Sequence, residues 1–184
     1  THPRVKEEAK AAIDKYGSGC TGSRFLNGTL DIHEELEERL AKFMRKEKCL
    51  LFSTGFQANL GAISTVVGRD DTILCDRLNH ASILDGCRLS YGRTLKFRHN
   101  DMEDLERLLT STDLQESDSA TLAITEGVFS MGGDLGAVKE IVELKRKHAF
   151  RILLDDAHGI GYMGPGGRGV AEHFDVEEEV DLIM

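Results

Sequence analysis

The stretch ILLDDAHG, residues 152–159, decides how the rest of the chain is interpreted. Residues 151–154 contain no turn former and lead into two carboxylates. They predict a short buried strand that delivers Asp155 to the carboxyl edge of a sheet, with His158 three residues later. Ligands bind at that edge in open α/β sheets. A carboxylate there favours a cationic ligand atom or a hydrogen-bonded partner, but an Asp that only caps the following turn fits these eight residues equally well.

Composition limits the classes of protein to which the chain can belong. Its 184 residues suit one domain or part of a larger one, and 40% hydrophobic residues are enough for a core. The 32 acidic residues exceed the 23 basic ones, which argues against nonspecific binding to nucleic acid. No apolar run approaches the length that spans a membrane. We expect a soluble globular protein with no nucleic-acid partner, no transmembrane segment and no metal site.

The four cysteines, Cys20, Cys49, Cys75 and Cys87, form no CxxC pair. Three of them lie in or beside apolar runs, which is typical of reduced thiols in a core rather than of disulfides or metal ligands. We therefore predict reduced core cysteines and a cytoplasmic protein.

Two helical patterns occupy the beginning of the chain, over residues 1–15 and from Asp31 onward. The Gly-rich residues 17–24 between them suit a connector, or more weakly a phosphate loop, because no Walker lysine follows. The second helix carries an apolar stripe that predicts packing against a core. Its members are Leu36, Leu40, Phe43 and Met44.

Apolar runs and helical patterns then alternate at the spacing of βαβ units. This alternation predicts an α/β fold with a mostly parallel sheet and helices on both faces. The polar residues 111–119 predict a solvent loop. The predicted strands are residues 49–53, 72–76, 94–97, 120–125 and 151–154, with a further strand beginning at Val180.

Four of these strands end in polar loops. In a parallel sheet such strand ends share one edge, so their side chains can converge on a single ligand. The N–H groups that open the helix after Thr54 suit a phosphate, although an ordinary N-capped helix is an equal alternative. A lone loop histidine is more commonly a surface residue. The candidate side chains and backbone groups belong to Thr54, Gly55, Phe56, His80, Glu126, Ser130, Asp155 and His158.

Together these groups suit a flat, phosphorylated and protonatable heteroaromatic, and pyridoxal 5′-phosphate (PLP) fits that description. The glycines of residues 159–169 permit a backbone that folds tightly over such a site.

Six separated motifs, in the same order, resemble the α-oxoamine synthase family, whose members are fold-type I PLP enzymes. They cover nearly the whole chain. The motifs are GSGCTGSRFLNGTLDIHEELEERLAKF at 17–43, FSTGFQANLGA at 52–62, LNHASILDG at 78–86, HNDMEDLERLL at 99–109, TEGVFSMGGDL at 125–135 and DDAHGIGYMGPGGRG at 155–169.

The resemblance implies a role for each candidate residue. Gly55 and Phe56 would help to seat the cofactor near Thr54, and the His80 imidazole would stack on its ring. Asp155 would pair with the ring nitrogen, His158 would bind the ring hydroxyl, and Ser130 would be a further contact. On this basis His80, Asp155 and His158 are the predicted catalytic residues, and Glu126 joins the predicted cofactor-binding set.

The resemblance also implies a reaction, the condensation of an amino acid with an acyl-CoA that releases CoA and CO₂, catalysed by a homodimer. Within the family, residues 24–37, together with residues 53–61 and 99–107, most resemble the bacterial serine palmitoyltransferases. Other motifs are shared with 8-amino-7-oxononanoate synthases and 2-amino-3-ketobutyrate CoA ligases. The amino acid and the acyl-chain length therefore stay open.

The sequence departs from the family pattern at one point. In the family, the lysine that binds the cofactor follows the strand that begins here at Val180, and this sequence stops at Met184 without it. We expect residues 1–30 to be a helix and connector, and residues 31–184 the first part of the PLP-binding large domain. The chain alone is then expected to be inactive. Two other classes are alternatives. A non-catalytic partner subunit need not keep Asp155, His158 and His80, and a dinucleotide-binding domain lacks its GxGxxG motif.

Overall fold

A computed structural model describes residues 2–111 and 119–184, so most of the predicted loop at 111–119 lies outside the described residues. The chain forms two compact units, Thr1–Leu51 and Phe52–Met184. The first unit contains helix α1, Pro3–Tyr16, and helix α2, Asp31–Phe43. The predicted domain boundary after residue 30 stays a prediction, because compactness alone does not define a domain.

Helix α2 forms as predicted, but its predicted packing against a core is wrong. Leu36 and Phe43 remain 42% and 43% exposed, and Ala41 is the buried residue of the helix. Arg24 instead holds this helix through a paired contact with Glu37, at 2.9 and 3.1 Å. An apolar stripe becomes core only where another apolar surface covers it.

The second unit alternates helices and strands. Its helices are α3 (Gly55–Val66), α4 (Ala81–Leu89), α5 (Met102–Leu109), α6 (Val138–Lys145) and α7 (Val170–His173). Its strands are β1 (Thr72–Asp76), β2 (Arg93–Phe97), β3 (Thr121–Glu126), β4 (Arg151–Asp155) and β5 (Leu182–Ile183).

The five strands form one parallel sheet in the order β2-β1-β3-β4-β5. The parallel α/β architecture predicted from the sequence is thereby confirmed. The register between β3 and β4 aligns Glu126 with Asp155. Two carboxylates thus end neighbouring strands side by side at the carboxyl edge.

Side chains of the central strands alternate between two apolar layers, as the period of two in a strand requires. In β4, Ile152 and Leu154 join the cluster that contains residues of α5 and α6, whereas Leu153 joins the cluster with residues of α3 and α4. Helices therefore cover both faces of the sheet, as predicted. Each fully buried Leu or Ile stabilises this arrangement by about 1.5–3 kcal/mol, which holds the strand ends in fixed positions.

The predicted strand at residues 49–53 is wrong. These residues belong to no helix or strand, and Leu50 and Phe52 are 65% and 36% exposed. An apolar run becomes a strand only when a neighbouring strand supplies hydrogen-bond partners. No ladder of the described sheet includes this segment.

The cysteine prediction is correct for two of the four residues. Cys75 and Cys87 are buried, but Cys20 is exposed and Cys49 only partly covered. Cys20 lies between Gly19 and Thr21, where no apolar neighbours are available in the sequence. All four are free thiols. Over the described ranges, no helix is both long and apolar enough to cross a membrane.

Candidate active site at the carboxyl edge of the sheet

Asp155 is a buried carboxylate whose hydrogen-bond donors, among the residues that the structure describes, are all neutral. It is 6% exposed at the end of β4. Its Oδ2 accepts a hydrogen bond from Asn59 Nδ2 at 2.8 Å, and its Oδ1 accepts one from the Ala157 backbone N–H at 3.2 Å. Within residues 2–111 and 119–184 it forms no ion pair. A desolvated carboxylate without a cation is costly, so this position favours a cationic ligand atom.

Asn59 links Asp155 to the neighbouring helix α4. The same Nδ2 donates to Ser82 Oγ at 2.9 Å, and both residues are buried. Sequence reasoning missed Asn59 as a site residue. The available signal was an amide on the buried stripe of α3, at the i and i+4 spacing with Ile63.

His80 lies at the beginning of α4 and is held on two sides. Its Nδ1 accepts a hydrogen bond from the Ser82 N–H at 3.2 Å and lies 2.7 Å from Ser82 Oγ. Its backbone N–H donates to Glu126 Oε1 at 2.5 Å. The residue remains exposed, so a ligand can reach the ring.

Glu126 is buried at the end of β3. Burial raises its pKa to about 7; the His80 N–H opposes that rise, and Asp155, Asp76 and Asp134 reinforce it by repulsion. The structure thus connects three of the predicted residues. Glu126 contacts His80 directly, and Asn59 and Ser82 link His80 to Asp155. The excess of carboxylates makes this edge favourable for a cation.

Asp156, which was not among the predicted site residues, organises the following Gly-rich turn. It is fully buried, and its Oδ2 accepts a hydrogen bond from the Val170 N–H at 2.6 Å. Its Oδ1 has no partner among the described residues. Burial raises the pKa of Asp156 to about 6, with Val170 opposing and Asp155 adding to the rise. The hydrogen bond to Val170 holds the beginning of α7 against the end of β4. The segment between them contains the turn that carries His158.

His99 lies between two further carboxylates that sequence reasoning also missed. Its Nδ1 lies 3.1 Å from the buried Asp76 and its Nε2 lies 2.7 Å from Asp134. Its ring also packs edge-on against Phe129, with 4.4 Å between centroids. Burial would lower the pKa of His99, but Asp134 and Asp76 outweigh it and raise the value. The cluster joins the loop after β2 to the loop that carries Ser130.

The predicted phosphate-binding site is the exposed N-terminus of α3. Thr54 caps this helix, because its Oγ1 accepts a hydrogen bond from the Gln57 N–H at 3.1 Å. The N–H groups of Gly55 and Phe56 are in the first turn, where no intrahelical acceptor exists. Both residues are exposed, so these donors are available to an anion.

Ser130 and His158 are not joined to this network. Ser130 is exposed in the loop that an isolated bridge between Val128 and Leu135 closes. His158 is exposed in the turn after Asp155. Neither side chain makes a hydrogen bond or ion pair with another described residue. Their roles stay predictions.

Comparison with known proteins gives concordant results along the whole chain. The family model described as aminotransferase class I and II matches residues 1–184. The serine palmitoyltransferase of Bacteriovorax stolpii is 53% identical over 183 residues, which are 100% of this chain and 43% of that protein. The 8-amino-7-oxononanoate synthase of Geobacter sulfurreducens is 47% identical over 183 residues, 100% of this chain and 46% of that protein.

A solved structure agrees with the fold. The serine palmitoyltransferase from S. paucimobilis with bound PLP–myriocin aldimine superposes with a TM-score of 0.94 at 42% identity, over 98% of this chain and 46% of that chain. The resemblance carried by the six motifs is confirmed. The chain spans less than half the length of these relatives. From the match over all 184 residues, we conclude that the chain belongs to the aminotransferase class I and II family.

Proposed function

We propose that the full-length protein containing this chain is a PLP-dependent acyltransferase that condenses an amino acid with an acyl-CoA and releases CoA and CO₂. The proposed substrates are L-serine and a long-chain acyl-CoA, which give 3-ketosphinganine. The observation that carries this proposal is Asp155, a buried carboxylate at the carboxyl edge that has two neutral donors and no cationic partner in the described part of the chain.

The residues present fit the cofactor. Asp155 would hold a protonated ring nitrogen, because the cation neutralises a carboxylate that the fold has already desolvated. Bound PLP supplies an electron sink for the negative charge that develops at the amino-acid Cα. A second carboxylate, Glu126, is aligned with Asp155 in the register between β3 and β4, and the same positive charge would stabilise its ionised form.

The other predicted residues would orient the cofactor. The exposed N–H groups of Gly55 and Phe56, with Thr54, would bind its phosphate. The exposed ring of His80 is held by Ser82 and would stack on the cofactor ring. His158 would bind the ring hydroxyl and Ser130 would add a further contact; these two assignments rest on the family resemblance.

Two enzyme activities are candidates. Identity of 53% to a serine palmitoyltransferase supports serine and a long acyl-CoA. Identity of 47% to an 8-amino-7-oxononanoate synthase supports the same type of reaction with other substrates. Steady-state rates with the two sets of substrates distinguish these activities.

We further propose that the full-length protein is a homodimer in the cytoplasm. Met131 and Tyr162 expose 98% and 86% of their surface in loops that follow β3 and β4, and a subunit interface would cover such side chains. Four free thiols suit a reducing compartment. Light scattering of the purified protein tests the dimer.

The test of the enzyme proposal uses the full-length protein. Purified protein should bind PLP, detected by visible absorbance that persists after gel filtration. Steady-state rates with serine, glycine and alanine, each with short and long acyl-CoAs, identify the substrates. Asp155→Asn should keep the cofactor yet lower turnover by orders of magnitude, because a neutral partner no longer retains the ring proton. Protein without PLP, or an Asp155→Asn variant with normal turnover, would contradict the proposal.

A further inference from the structure

A buried amide–hydroxyl pair joins the two predicted cofactor-contacting side chains, Asp155 and His80. Asn59 Nδ2 lies 2.8 Å from Asp155 Oδ2 and 2.9 Å from Ser82 Oγ, and Ser82 Oγ lies 2.7 Å from His80 Nδ1. Asn59 is fully buried and Ser82 is 1% exposed. A polar chain this deeply buried forms only if its members satisfy one another.

The chemistry of the contacts sets the orientation of the Asn59 amide. A carboxylate oxygen at 2.8 Å requires a donor, so the NH₂ group and not Oδ1 faces Asp155. The NH₂ group has two hydrogens, and Asp155 and Ser82 take one each. A flipped amide would set Oδ1 against the carboxylate. Oδ1 has no partner among the described residues.

The same logic sets the tautomer of His80. The Ser82 backbone N–H points at Nδ1, so Nδ1 must accept and the ring proton lies on Nε2. Since the Ser82 hydroxyl accepts from Asn59, its own hydrogen is free to be donated to Nδ1. The donors therefore run from Asn59 to Ser82 to His80. His80 Nε2–H, which has no partner in the described ranges, is left for a ligand.

We propose that Asn59 and Ser82 are positioning residues that orient Asp155 and His80 as one unit against the bound cofactor. This inference rests on the proposed function. Asn59 holds the carboxylate that faces the ring nitrogen, and Ser82 holds the imidazole that faces the ring. A displacement of either end is therefore transmitted through Asn59 to the other.

The first experiment measures the PLP dissociation constant of the cofactor-free full-length protein by absorbance titration. Asn59→Leu removes both donors at similar side-chain size and should weaken PLP binding about 10- to 100-fold, because Asp155 and His80 are no longer held in place before the cofactor binds. In an Asp155→Asn background, Asn59→Leu should weaken PLP binding by less than about 3-fold, because the Asp155 carboxylate that Asn59 orients is already absent. A purely structural role would give equal effects in both backgrounds.

The chain offers a matched control in Asn79. This asparagine is also buried, donates Nδ2 to the Ile124 carbonyl at 2.8 Å, and has an unpartnered Oδ1 within the described part of the chain. It makes no hydrogen bond to the Asp155 or His80 side chains. Asn79→Leu should lower stability and change the PLP dissociation constant by less than about 3-fold. An equal loss of affinity in Asn59→Leu and Asn79→Leu would overturn the inference.

A milder variant keeps the test decisive if Asn59→Leu does not fold. Ser82→Ala should reduce the induced circular dichroism of bound PLP, which reports how the protein holds the ring. The control Ser64→Ala removes a hydroxyl that donates to the Leu60 carbonyl on α3 and has no other partner in residues 2–111 and 119–184, so it should leave that signal unchanged. An unchanged signal in Ser82→Ala overturns the inference. Wild-type protein that binds no PLP overturns the proposed function as well. If wild-type protein binds PLP but the Asn59 and Ser82 variants behave like their controls, this inference alone is overturned.

Discussion

Replacement of Glu126 by glutamine should make the protein more stable at neutral and alkaline pH. Glu126 is 5% exposed, and its Oε1 accepts the His80 N–H. Burial raises its pKa from 4.5 to about 7, and the nearby Asp155, Asp76 and Asp134 add to the rise. The glutamine side chain keeps an oxygen that can accept the same hydrogen bond but has no acidic proton to lose.

The sign and size of the effect follow from that pKa. Between pH 4.5 and about 7 the folded protein retains the Glu126 proton while the unfolded chain has lost it, so stability falls as pH rises. The full loss above pH 7 is up to about 3 kcal/mol. Asp156, with its pKa raised to about 6, adds a similar loss between pH 3.8 and 6 in both proteins. The difference between wild type and Glu126→Gln therefore isolates Glu126.

The assay is urea unfolding of cofactor-free protein at pH values from about 4.5 to 9, which span the window of the Glu126 titration. The two proteins should have similar free energies of unfolding at the acidic end, and Glu126→Gln should become increasingly more stable as the pH rises. Glu140→Gln, an exposed substitution on α6, is the control and should give a pH-independent difference. A difference for Glu126→Gln that does not change with pH, or a variant less stable than wild type at the alkaline end, would refute the reasoning.

Two further substitutions test the loops at this edge. Gly169→Ala should lower the free energy of unfolding by at least about 2 kcal/mol, because φ is +99° and the new Cβ would collide with Asp156 Oδ2. The control Gly133→Ala, at φ +75° with open space around it, should lower the free energy of unfolding by only about 1 kcal/mol. Equal losses in the two variants would show that contact with Asp156 is unimportant. His99→Gln should destabilise the protein more at acidic than at alkaline pH, because the raised pKa of His99 gives stability that is present at low pH and lost as pH rises through it. Thermal unfolding midpoints at about pH 6 and pH 9, on either side of the ordinary histidine range, check this, and a larger loss at the alkaline pH would contradict it.

Local patterns in the sequence were sufficient for the architecture of the second unit. The predicted strand at residues 72–76 and the predicted helix at 102–109 match β1 and α5 to the residue. Apolar runs of this length between helical stripes favour strands, and here the strands that pair with them lie in the same unit. The alternation of strands and helices predicts a parallel sheet. The convergence of Asp155, Glu126 and His80 also followed, because the ends of parallel strands share an edge.

Tertiary structure alone decided which polar groups are partners. Asn59 and Asp155 are 96 residues apart, and no local pattern relates an amide on α3 to the end of β4. The same dependence on distant neighbours explains the wrong predictions. The apolar residues 49–53 and the stripe on α2 had the composition of a strand and of a core face, but burial and pairing require a second surface. A sequence segment determines what its residues can form, whereas the groups that the rest of the chain places against it determine what they do form.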